Sequence, residues 1–361
     1  MVILMTDLWQ YYLLIIVVAV QGLFCLKGNN KLFLFITFLE LFFISGFRAW
    51  HIGNDTLHYV GVFISAFSYD LSSSYMEKGY IVFNKILSSF TNNPQSILIS
   101  TSFLIIGTLL FFIYKYSKFI FLSVLLFVIL HFAGTLNIIR QYMAIIIVLL
   151  SFNFVVKREF FKFLCCCLIA TTFHTSSIVA LVWYFIYPLN IKIRNIITIL
   201  VVTILIFIFI APFLDQVFKI LGRYDSYMGT ILMGEETKIA SIIKTLIDLV
   251  IFIFCFISYF YVYLKKKKKD IFIILPQFLL LSSLLALCIQ FVSIRGVVLE
   301  RVAMYFSFFN IISVPSFINC YSRNIKVLLI FIVFGLFVLY SSIIFIYRPG
   351  WNYVLPFQFC F

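Results

Sequence analysis

The sequence predicts an all-α protein, a polytopic transmembrane helix bundle with about 10–12 membrane segments. Three observations predict it. Of 361 residues, 64% are hydrophobic and only 11% are charged, against roughly 25% charged in a soluble domain. Apolar runs with almost no charge recur along the whole length, most of them near the ~20 residues a helix needs to cross the hydrocarbon core. The basic residues lie between those runs, in short loops, as membrane topology requires.

In chain order the runs cover 8–26, 32–47, 97–114, 119–135, 138–156, 160–187, 194–214, 240–264, 271–294, 302–320 and 326–346. The first is read as a span rather than a cleaved leader: Asp7, not a basic cluster, precedes it, and no small-residue cleavage site follows. Lys265 to Lys269 mark 265–270 as a cytoplasmic basic loop. Walking away from that anchor makes 215–239 an external loop and 188–193 an internal one. The 160–187 run has two readings. As one span it would leave Lys157, Arg158 and Lys162 outside, against the rule. As a hairpin turning near His174 it keeps both basic ends inside, re-entrant or crossing a locally thin membrane, and this reading is favoured. Sixteen basic and two acidic residues then lie on the cytoplasmic side, which accounts for the whole net charge of +14.

The 48–96 segment is therefore external and too polar to span. Val60, Phe63, Ile64 and Phe67, then Tyr80, Phe83 and Leu87, recur at helical spacing and predict amphipathic helices at the outer interface. No repeat or linker divides the chain, so 1–361 reads as a single integral membrane domain. The scattered basic residues exclude a nucleic-acid patch. Eight cysteines show no metal-ligand spacing, and Cys165, Cys166 and Cys167 read as small hydrophobes in an apolar helix. There is no phosphate-binding glycine loop, no zinc motif and no serine nucleophile elbow.

Charged groups in or near a membrane are costly, so each needs a reason. Arg48 closes the second run, followed by His51, Gly53-Asn54-Asp55, His58 and Tyr59. This is either a plain helix N-cap or a helix start that presents free N–H groups to an anion. Glu77 opens the second amphipathic stretch. Asn137, Arg140 and Gln141 stand at i, i+3 and i+4, predicting one helical face turned to the bundle interior or a wet cavity, with Arg140 alternatively reaching the headgroups. Thr171, His174 and Ser177 are expected to share a face at the hairpin tip, where irregular backbone suits a cavity lining. Arg295, Glu300, Arg301 and Tyr305 lie in and after the last external loop; an internal Glu300–arginine pair is the plain alternative. Arg223, Asp225, Glu235 and Glu236 suggest a groove or lid. Asp248 and Glu40 have no partner legible in the sequence. Four arginines, Arg48, Arg140, Arg295 and Arg301, on one membrane face suit a lipid-linked diphosphate, because guanidinium keeps its charge and grips phosphate oxygens bidentately.

Arg48 with Gly53-x-Asp55-x3-Tyr59, Glu77-x-Gly79-Tyr80, Asn137-x2-Arg140-Gln141, Phe173-His174-x-Ser176 and Glu300-Arg301-x3-Tyr305 occur in this order. Together they resemble the EpsG family, Wzy-like polymerases of bacterial O-antigen, capsule or exopolysaccharide. Trp351 and Pro356 are similar to that family's C-terminal tail, and Asn54 stands where a small hydroxyl residue is more usual. The resemblance implies a glycosyltransferase of the cytoplasmic membrane, its active site facing outward, without metal, nucleotide or other cofactor. A glycan on undecaprenyl diphosphate would pass to a hydroxyl of an incoming lipid-linked repeat unit. The implied partners are undecaprenyl-diphosphate-linked oligosaccharides, membrane lipid, and flippase and chain-length regulator proteins, with no nucleic acid. Arg140 with Arg295 or Arg301 is expected on the diphosphate, and His174 or Asp55 as the base. Arg48, Tyr59, Glu77, Asn137, Gln141, Arg295, Glu300 and Tyr305 are expected to bind substrate. A lipid-linked glycan flippase and a membrane acyltransferase with His174 as base are the rival readings.

Overall fold

In the computed structural model, which describes residues 5–68, 76–221, 235–266 and 274–361, every apolar run becomes helix over most of its length. Six helices are long and apolar enough to cross a membrane among the described residues: Gln95–Tyr116, Ile139–Val156, Ile239–Tyr261, Leu275–Ser293, Glu300–Ile318 and Arg323–Tyr347. Shorter apolar helices stand at Trp9–Cys25, Ile120–Leu130, Phe160–Thr171, Thr175–Ile186 and Ile193–Phe209. The described residues form no strand; one isolated bridge joins Arg48 to Phe359. The chain is an all-α, multi-pass membrane protein.

Burial in this protein runs opposite to apolarity. Arg323–Tyr347, the most apolar of the six spans, is 28% buried, whereas Glu300–Ile318, the least apolar, is 78% buried. In water the order would be reversed. In lipid the outside must be hydrocarbon, while polar side chains can be tolerated only where other helices supply hydrogen bonds.

The chain forms two compact units, Met1–Leu181 with Ser322–Phe361, and Val182–Tyr321. In the first, Asn30–Gly46 packs on Gln95–Tyr116, which packs on Ile139–Leu150, which in turn meets Phe160–Thr171. Trp9–Gln21 and Arg323–Tyr347 both rest on Ile120–Leu130. In the second, Ile274–Ser293 is the hub, contacted by Ile193–Leu221, Glu235–Lys266, Glu300–Ser307 and Asn310–Ile318.

The two amphipathic helices exist, at Thr56–Ile64 and Lys78–Ser88. Their inward faces follow the apolar spacing only in part. Lys78–Ser88 buries Tyr80, Ile81, Asn84 and Ser88 and exposes Val82 and Ile86, while Ile64 and Phe67 of the first stretch are also exposed. Val60 and Phe63 are buried as the spacing predicts, together with Tyr80, while the hydrogen-bonding groups Thr56, Asn84 and Ser88 are turned in beside them.

Four local expectations are corrected. The apolar count set 215–239 as loop, but helices run to Leu221 and restart at Glu235, because hydropathy marks the hydrocarbon and not the helix end. Asn137, Arg140 and Gln141 do not share one helical face: Ile138 leaves helical geometry (ψ 60°), so Asn137 ends one helix and Arg140 lies in the first turn of the next, Ile139–Leu150. Thr171, His174 and Ser177 do not share one either. Helix Phe160–Thr171 stops, His174 is extended (φ −158°, ψ 120°), and a 3-10 stretch Thr175–Ala180 packs back on that helix. Neither arm reaches the ~30 Å of a bilayer core at about 1.5 Å per residue. Finally, Glu300 is held by Lys244 rather than by an arginine. Arg223, Asp225 and Lys267 to Lys269 lie outside the described residues, as do the side chains of Glu235, Glu236, Lys265 and Lys266.

Candidate functional site

The break at Ile138 is where the first unit's site begins. A helix that stops leaves carbonyls without intrahelical donors. The Leu136 carbonyl is taken by Arg48 Nη2 at 3.0 Å and by the Thr56 hydroxyl at 3.3 Å. The Arg48 side chain is fully buried, its other Nη on the Ser45 carbonyl and its Nε without a partner. Burial pulls this guanidinium down to about 9 from its ordinary value.

Gly53 makes the turn before Thr56–Ile64. Its φ is +93°, and a Cβ there would lie 2.7 Å from both the Leu136 carbonyl oxygen and Thr56 Oγ1, so only glycine fits. The next residues are fixed from outside the loop. The Asp55 N–H donates to Asn137 Oδ1 at 3.1 Å, and Asn137 Nδ2 donates to the Trp351 carbonyl at 3.1 Å. Asn54 donates to the Gly350 carbonyl, and the Gly53 N–H to that of Tyr353 at 2.8 Å. The C-terminal tail thus straps the loop, and further on Ala49 and Cys360 N–H groups bond Gln358 and Phe47 carbonyls at 2.9 Å each.

Arg140, first turn of its helix, pairs with Glu77. The two side chains are 22% and 16% exposed. The Arg140 guanidinium also lies 5.8 Å from the Tyr59 ring centroid, and the Tyr59 hydroxyl points to Asp55 Oδ2 at 3.4 Å. Tyr59 and Tyr80 meet edge-on, centroids 5.5 Å apart. The sequence-predicted residues Arg48, Asp55, Tyr59, Glu77, Asn137 and Arg140 therefore form one connected constellation, with Gln141 buried in the helix behind. Buried donors without partners there are Arg48 Nε, Arg140 Nε and the Tyr80 hydroxyl, while Asn84 Oδ1, one turn beyond Tyr80, is a buried acceptor without one.

His174 joins through the backbone. Gly79 N–H donates to the Thr172 carbonyl at 2.8 Å, and a Cβ on Gly79 would fall 2.1 Å from Thr172 Oγ1. The glycine of the Glu77-x-Gly79-Tyr80 motif is thus the close-approach point between that helix and the His174 turn. His174 is buried, with Nδ1 at 2.6 Å from Ser176 Oγ, which fixes the ring.

In the second unit Arg295 and Arg301 are exposed, Arg295 lying 4.7 Å over the Phe207 ring. Tyr305 is buried. Glu300, also buried, accepts from Ser241 and from Gln290 at 3.2 Å, with Lys244 Nζ at 3.9 Å. Ser241, Lys244 and Gln290 were not singled out from the sequence, although Ser241, Lys244, Thr245 and Asp248 mark one helical face of an apolar span. Among the described residues no three His, Cys, Asp or Glu side chains cluster as metal ligands. An apolar groove of about 320 Å³, bordered by Lys31, Phe35, Phe38, Gly107 and Tyr114, contains none of the candidate site residues and suits a lipid chain.

Comparison with known proteins adds one positive finding. The model of the EpsG family matches residues 31–359. No curated protein and no solved structure matches the chain.

Proposed function

Because the chain belongs to the EpsG family, whose members are Wzy-like polysaccharide polymerase-type membrane proteins, we propose that it joins undecaprenyl-diphosphate-linked repeat units on the outer face of the cytoplasmic membrane. The observation that carries the reading is the convergence of unpartnered donors, Arg48 Nε, Arg140 Nε and the Tyr80 hydroxyl, around Tyr59. A buried set in which unpartnered donors outnumber acceptors favours an anion, and a leaving diphosphate supplies acceptor oxygens.

In this reading the bond from the anomeric carbon of the growing glycan to its diphosphate breaks, and the electron pair leaves with the phosphate oxygen. Arg140 holds that oxygen as charge develops. Glu77 keeps the guanidinium aimed until substrate arrives. The incoming sugar hydroxyl gives its proton to Asp55 or to His174 as it bonds the anomeric carbon. Tyr59, between Asp55 and Arg140, ties base and diphosphate holder into one unit. Asn137 and the tail fix Asp55 by its backbone, and this positioning of two lipid-anchored substrates supplies much of the acceleration.

The test is the purified protein in liposomes with defined lipid-linked repeat units, its products sorted by chain length. A ladder supports the polymerase. Transbilayer movement without elongation would instead mean a flippase, and a mass gain of one acyl group an acyltransferase.

A further inference from the structure

The second unit holds a buried cluster whose chemistry is the reverse of the first. Helix Glu235–Lys266 carries Ser241, Lys244, Thr245 and Asp248 at i, i+3, i+4 and i+7, a single polar face on an otherwise apolar span. That helix packs on Ile274–Ser293 and Asn310–Ile318. Glu300 is 6% exposed and is engaged by Ser241, Gln290 and Lys244. Asp248 is 5% exposed, and its Oδ1 accepts from Asn310 Nδ2 at 3.4 Å.

Among the described residues, two carboxylates and one ammonium leave one negative charge uncompensated in the cluster. Such a charge is neutralised or paired, because hydrocarbon cannot solvate it. Among the described residues, the titratable groups facing Asp248 are few: Lys244 on its own helix and Glu300. Helix Ile274–Ser293 brings only the Cys288 thiol, and Asn310–Ile318 brings none. Arg295 and Arg301 are exposed.

The unpartnered buried atoms say what is missing. They are Asp248 Oδ2, Asn310 Oδ1 and Gln290 Oε1. All three are acceptors, so the cluster lacks hydrogens, not oxygens. Because the Asn310 amide already donates to one Asp248 oxygen, a hydrogen on the other oxygen can be donated back to the Asn310 carbonyl. That closes an acid–amide ring and satisfies two of the three atoms with a single proton.

We propose that the Lys244–Asp248–Glu300 cluster is a one-proton site, with Asp248 held as the neutral acid, its Oδ2–H donated to Asn310 Oδ1, and Glu300 ionised against Lys244. The proton comes from solvent, and the O–H bond on Asp248 is the one covalent change. The site stands independently of the glycosyl-transfer reading.

Infrared spectroscopy of the full-length protein in lipid at neutral pH tests it. The expected spectrum contains the C=O stretch of a protonated carboxyl group, shifted in D2O, absent from Asp248→Asn and retained in Glu300→Gln. Glu40→Gln is the control, since Glu40 is half-buried and hydrogen-bonded to Gln21 at 2.5 Å. If Asp248→Asn does not fold, carbonyl-labelled aspartate in the wild-type chain assigns the band, because only an aspartic acid band then moves. A spectrum with no protonated aspartate band, or one whose band vanishes when sodium or potassium is added, overturns the proposal, the latter in favour of a monovalent cation on the same oxygens.

Discussion

Replacing Arg140 with alanine is expected to damage stability and elongation for separable reasons. The Arg140 and Glu77 side chains are 22% and 16% exposed, so their pair sits nearer the buried than the exposed limit. Breaking a buried pair leaves a stranded charge at about 3–5 kcal/mol, while exposed pairs contribute about 0–1 kcal/mol. An intermediate position gives about 2–3 kcal/mol for stranding Glu77. Loss of the guanidinium over Tyr59, 5.8 Å from its centroid, adds about 0.5–1 kcal/mol. Glu77→Gln in the Arg140→Ala background removes the stranded charge, so about 2 kcal/mol of the loss should return as coupling in a double-mutant cycle. Elongation should not return, because the diphosphate holder is still missing. The assay is unfolding of the four proteins in one detergent, with elongation of lipid-linked repeat units measured in parallel. Purely additive stability losses would refute the ion-pair argument. Full-length glycan made by well-expressed Arg140→Ala protein would remove Arg140 from the mechanism.

Gly79→Ala places a Cβ 2.1 Å from Thr172 Oγ1 and 2.8 Å from the Thr172 carbonyl oxygen; forced apart, the two segments should cost about 1–3 kcal/mol, read as a lowered unfolding midpoint, with elongation reduced as Glu77 shifts from Arg140. Deleting 349–361 removes the acceptors for Gly53, Asn54 and Asn137. Insertion should persist, but a loss worth one hydrogen bond, about 1.4 kcal/mol, predicts roughly tenfold slower elongation and faster proteolysis at residues 48–56. A reporter fused after Lys269 should read cytoplasmic; a periplasmic signal would invert the sidedness assigned to every loop.

The membrane character and nearly every span are legible in the sequence because apolarity over ~20 residues is a local signal. The residues of the first unit's constellation are legible for a different reason: each is a polar group in a chain that has few. Their arrangement was not. The i, i+3, i+4 rule placed Asn137 beside Arg140 on one face, but the Ile138 break turns Asn137 toward Asp55 and the tail and leaves Arg140 facing Glu77. No pattern announces that break, since Ile138 is an ordinary apolar residue whose ψ is set by tertiary contacts. The tail's role is equally silent: its bonds to Gly53, Asn54 and Ala49 run through backbone carbonyls, which every residue has. Asp248 was legible as a charge within a span, and Lys244 could have been joined to it, since the Ser241, Lys244, Thr245, Asp248 spacing is a helical face; the partners Asn310 and Glu300 were not legible, at separations of 62 for Asn310–Asp248 and 59 for Glu300–Ser241.

The measurement that bears most directly on the account is the stoichiometry of lipid release during elongation, in liposomes free of nucleotide and containing a metal chelator. Transfer of the glycan from its diphosphate predicts one undecaprenyl diphosphate freed for each repeat unit added, at wild-type rate and at no detectable rate in Arg140→Ala. Chains that lengthen without freeing the lipid diphosphate, or only when nucleotide is supplied, would contradict it.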